Sequence, residues 1–66
     1  MYFSVEEEAL IYILYKETRQ ELIDEFHNVI PHVANPAVVA LMEKTLRKLE
    51  RITDEEYSVL VFTPLD

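Results

Sequence analysis

Ser4-Val5-Glu6-Glu7-Glu8-Ala9-Leu10-Ile11-Tyr12-Ile13-Leu14-Tyr15 is the stretch that decides the fold. Its apolar run, Ala9 to Tyr15, would also suit a strand, because β-branched and aromatic side chains fit a pleated surface. The residues before the run point to a helix. Ser4 followed three positions later by Glu7 is a capping box: the hydroxyl accepts from the third helical N–H and the carboxylate reaches back to the cap's own N–H. Glu6, Glu7 and Glu8 also suit the positive end of a helix dipole. The pattern predicts a helix from Val5 to about Lys16, apolar all round in its middle and therefore buried on more than one side.

The same punctuation recurs outward from there. Thr18–Glu21 and Thr53–Glu56 repeat the capping-box spacing, and Asn35-Pro36 pairs a strong N-cap with a proline at the first helical position. A second helix is expected from Arg19 to about Ile30, with Leu22, Ile23, Phe26, Val29 and Ile30 on one stripe. Pro31 should stop it, because the residue before proline is pushed out of the α region. A third is expected from Pro36 to about Arg51. Val38, Leu41, Met42, Thr45, Leu46, Leu49 and Ile52 form its apolar face, and Lys44, Arg47, Lys48 and Arg51 lie opposite. A short fourth is expected from Asp54 to about Val59, with Tyr57 and Leu60 covering the end of the bundle. The tail from Val59 to Asp66 is apolar and open to an extended reading. The expected fold is all-α: a small bundle of three main helices plus a short fourth helix and an apolar C-terminal tail, one domain over residues 1–66.

Composition narrows the function classes. A chain of 66 residues buries only about 60% of its unfolded surface. It has no Cys for a disulfide or thiolate metal site, and no Gly for a phosphate-cradling loop. Half of its residues are hydrophobic, which implies a dense core or a surface that another molecule covers. A net charge of −7 disfavours nucleic acid as a default partner and favours solubility or a basic one. The opening residues carry no basic n-region, and the Ala9–Tyr15 run is too short to span a bilayer. A cytoplasmic chain without membrane contact is the expectation.

Each candidate site has an ordinary reading beside the functional one. The Lys44, Arg47, Lys48 and Arg51 stripe would serve an acidic partner or a phosphate backbone. As a solvated face paired loosely with nearby acids it needs no function. The acids Glu6, Glu7, Glu8, Glu21, Asp24, Glu25, Asp54, Glu55 and Glu56 gather in first turns, as helix starts require. His27 and His32 match no metal-ligand spacing, and no carboxylate or serine sits in a recognisable catalytic pattern. No enzyme activity, cofactor or metal is expected. The first helix offers more apolar surface than two neighbours easily cover. Tyr12, Tyr15, Val61 and Phe62 are the candidate partner-binding residues, for another protein or for a second copy as a homodimer.

Phe3-Ser4-Val5-Glu6-Glu7, Thr18-Arg19 with Leu22-Ile23, and Leu46-Arg47-Lys48-Leu49 ahead of Thr53-Asp54-Glu55-Glu56-Tyr57 together resemble a known family. It is that of the small putative transposon-transfer assisting proteins of Firmicutes conjugative transposons, and the likeness runs from about Phe3 to Leu60. The resemblance implies a helical fold and a non-catalytic accessory role in a mobile element's transfer, exercised through protein–protein contacts. It supplies no catalytic residues. Nucleic-acid contact through the basic face of the third helix is the alternative.

Overall fold

Four capped helix starts give four helices in the computed structural model, which describes residues 3–62, with side chains described through residue 60. In order they are α1 (Val5–Ile13), α2 (Arg19–Val29), α3 (Pro36–Arg51) and α4 (Asp54–Phe62), with a 3-10 turn at Ile30–His32 after α2. The described residues contain no strand, and the apolar run that suited either element is helical through Ile13.

Each cap can be traced to its hydrogen bonds. At Ser4 both halves of the box form: the Glu7 N–H donates to Ser4 Oγ at 3.2 Å, and the Ser4 N–H donates to Glu7 Oε1 at 2.7 Å. Thr53 and Glu56 make the same reciprocal pair at 3.1 and 2.8 Å. At Thr18 only half of it exists. The Glu21 N–H donates to the Thr18 hydroxyl, but that hydroxyl, not the Thr18 backbone N–H, donates to the Glu21 carboxylate. Asn35 Oδ1 accepts from the Ala37 N–H at 2.9 Å.

Three boundaries differ from expectation. α1 stops at Ile13 instead of near Lys16. Residues 14–18 are needed to turn the chain into α2, and the carbonyl of Lys16 accepts a 2.6 Å hydrogen bond from the Tyr57 hydroxyl, tying the connection to α4. Before Pro31, Ile30 keeps right-handed helical backbone (φ −50°, ψ −45°). Proline here tightens the last turn to 3-10 instead of breaking it, and the Val33 N–H closes that turn on the Ile30 carbonyl at 3.1 Å. α4 runs on past Val59 to Phe62, so the tail that was open to an extended reading is helical through that residue; positions 63–66 lie outside the described residues.

The core is Phe3, Ile11, Leu22, Ile23, Phe26, Met42, Leu46, Leu49 and Tyr57. α3 is its centre: both α2 and α1 pack on it. Its inner face is the expected one, and the single polar member of that face, Thr45, satisfies its buried hydroxyl on the Leu41 carbonyl at 2.8 Å. α4 closes the bundle through Tyr57, which is buried as anticipated.

Candidate functional site

α1 buries two of its glutamates and exposes part of its apolar surface. Glu7, Glu8 and Ile11 are buried, whereas Val5, Ala9, Tyr12 and Ile13, at offsets of 0, 4, 7 and 8, are exposed along one helical stripe. Val5 is 79% and Ile13 76% exposed, Tyr12 41%, and Tyr15, just beyond the helix, 42%. Burial on more than one side was expected, but α1 rests on α3 by one face only. The residue types alone did not reveal which face. Tyr12 and Tyr15 are exposed, while Val61 and Phe62 belong to α4 with side chains outside the described set.

Glu7 adds to a second expectation. With Glu8 it is one of the acids expected in the first turn, where it lies, but its side chain is also fully buried. Lys48 reaches from α3 and donates to Glu7 Oε1 at 2.7 Å, the same oxygen that receives the Ser4 N–H. Glu7 Oε2 has no hydrogen-bond partner. The Lys48 ammonium also stands 5.7 Å from the centroid of the Phe3 ring, within the range of a cation–π contact. Burial pushes the Glu7 carboxyl up, but the Lys48 and Ser4 hydrogen bonds and the Lys48 charge together outweigh it and hold the group below the usual carboxylate range. No signal in the sequence singles out this pair: Glu6, Leu10 and Ile13 and Glu8, Tyr12 and Tyr15 repeat the spacing of Glu7, Ile11 and Leu14, and only the packing of α1 on α3 selects the last.

The basic stripe is one surface, as its spacing required. Lys44, Arg47, Lys48 and Arg51 line a groove of about 190 Å³ on the outer side of α3. His27 and His32 are both exposed, and no group of three or more possible metal ligands occurs among the described residues. Burial pushes the Tyr57 hydroxyl above its ordinary value. None of the described helices is long and apolar enough to cross a membrane.

A family model described as "Putative transposon-transfer assisting protein" matches residues 3–64, nearly the whole chain. The chain belongs to this family. The segments that carried the resemblance are the structural ones in this member: the Ser4–Glu7 box, the start of α2, and the end of α3 running into the Thr53 cap. No curated protein and no solved structure matches.

Proposed function

We propose that this family member is a non-catalytic accessory protein that assists transfer of a mobile element by docking onto another protein through the outer face of α1. The observation that carries the reading is the outer face of α1: Val5 and Ile13 expose most of their apolar surface while two glutamates of the same helix are buried. Exposing such side chains on a small bundle forgoes about 25 cal/mol for each Å² left in water, and a binding partner recovers it. Tyr12 and Tyr15 supply the aromatic anchors that protein interfaces favour. A cytoplasmic location goes with this reading, as does the cysteine-free composition. A second copy of the chain is the other occupant to be tested.

The test is element transfer measured with Val5→Ser plus Ile13→Ser. Both positions are exposed, so folding should survive, as circular dichroism can check. Transfer should fall well below the wild-type frequency. Wild-type transfer by a folded double variant would sink the reading. Light scattering over a concentration range separates the occupants: a wild-type dimer that the substitutions dissociate identifies a second copy, and a monomer leaves a different protein.

A further inference from the structure

The six basic residues of the chain divide into two sets. Lys16 lies 4.0 Å from Glu25, Arg19 pairs with Asp54 at 2.9 Å, and Lys48 pairs with Glu7 at 2.7 Å. The other three, Lys44, Arg47 and Arg51, enter no ion pair or side-chain hydrogen bond among the described residues, and all three line the groove on α3. In a chain with 13 acidic residues and six basic ones, cations left unpaired together on one groove are the anomaly. Glu43 and Glu50 stand within one turn of Arg47 on the same helix, yet neither joins an ion pair. The helix dipole accounts for a cation in the last turn, such as Arg51, but not for Lys44 and Arg47 further upstream.

We propose that this groove is a binding site for phosphate oxyanions. Arg47 and Arg51, one turn apart, present two planar guanidinium forks suited to bidentate contact with phosphate oxygens, and Lys44 adds a point charge beside them. From Lys44 to Arg51 the helix rises about 10 Å. That length lets the three cations meet more than one phosphate of an extended strand. The overall −7 charge works against the site, and Glu43 and Glu50 on the same helix do so at closest range. The site is on a different helix from the α1 face, so either proposal can fail without the other.

The experiment is an NMR titration of the full chain at low salt with three probes: inorganic pyrophosphate, a short oligothymidylate and poly-glutamate. Phosphate probes should shift the signals of Lys44, Arg47 and Arg51, and Arg47→Gln plus Arg51→Gln should weaken binding about tenfold or more at an unchanged melting temperature. Lys44→Gln plus Arg47→Gln is a second variant with the same expectation. Saturation by pyrophosphate identifies a free phosphate compound as a sufficient ligand. Binding of the oligonucleotide alone, with log K falling about 2 units per log unit of salt for three contacts, identifies a single-strand phosphodiester. No binding of either phosphate probe, binding that survives both double variants, or poly-glutamate binding equally well would overturn the proposal.

Discussion

α1 and α3 both begin at well-made caps and both face the core, yet they divide their residues in opposite ways. α3 puts Met42, Leu46 and Leu49 inside and its cations outside, the ordinary arrangement of an amphipathic helix. α1 puts Glu7 and Glu8 inside and leaves Val5, Tyr12 and Ile13 at the surface. The two are not independent. α1 can bury the Glu7 carboxylate because Lys48, on the flank of the α3 cationic stripe, reaches back to meet it. The comparison teaches that one helix's charged face supplies the counter-ion for a carboxylate that its neighbour buries.

The largest effect should come from cutting into the conventional helix. Leu49 is fully buried, and Leu49→Ala should cost about 3 kcal/mol in denaturant unfolding. A loss under about 1 kcal/mol would mean that α3 is not the centre of the core.

Next comes the bridge between the helices. Lys48→Met keeps an apolar side chain of similar length but removes the ammonium from Phe3 and strands the Glu7 charge. Removing one partner of a buried pair costs about 3–5 kcal/mol, and the partial exposure of Lys48 places this case at about 2–3 kcal/mol. The pair should also show in acid. Because the folded-state carboxyl of Glu7 is lowered, its stabilisation is complete above the unfolded carboxylate range and is lost as pH falls through the lowered value. The stability gap between wild type and Lys48→Met should therefore narrow as the solution is acidified. A gap constant with pH would mean that the ion pair contributes nothing to stability.

The smallest effect should be at the exposed face of α1. Ile13→Ser should change stability by no more than about 0.5 kcal/mol, since the side chain is already in water. A loss of about 2 kcal/mol, the size expected for a buried aliphatic, would show that Ile13 is covered within the chain and would remove the basis for docking there.

Local chemistry made much of this legible. A cap needs only a side chain and a backbone N–H two or three residues away, so Ser4, Thr18, Asn35 and Thr53 marked every α-helix start in the sequence. The face of α3 was legible because only one stripe of it is apolar. α1 was not, because a run with apolar residues on every side has no preferred orientation in its own pattern. The His27 and His32 positions carried no signal, and they lie exposed.

Length, caps, the helical class, the α3 core face and the grouping of four cations were determined by the sequence alone, since each depends on contacts within about one or two turns. Tertiary structure decided which side of α1 faces the core, that Glu7 and not another acid takes Lys48, that Tyr57 pins the Lys16 carbonyl, and which three cations remain unpaired. Those outcomes depend on partners up to 41 residues away along the chain, and no local periodicity encodes which of several chemically equivalent groups a distant helix will meet.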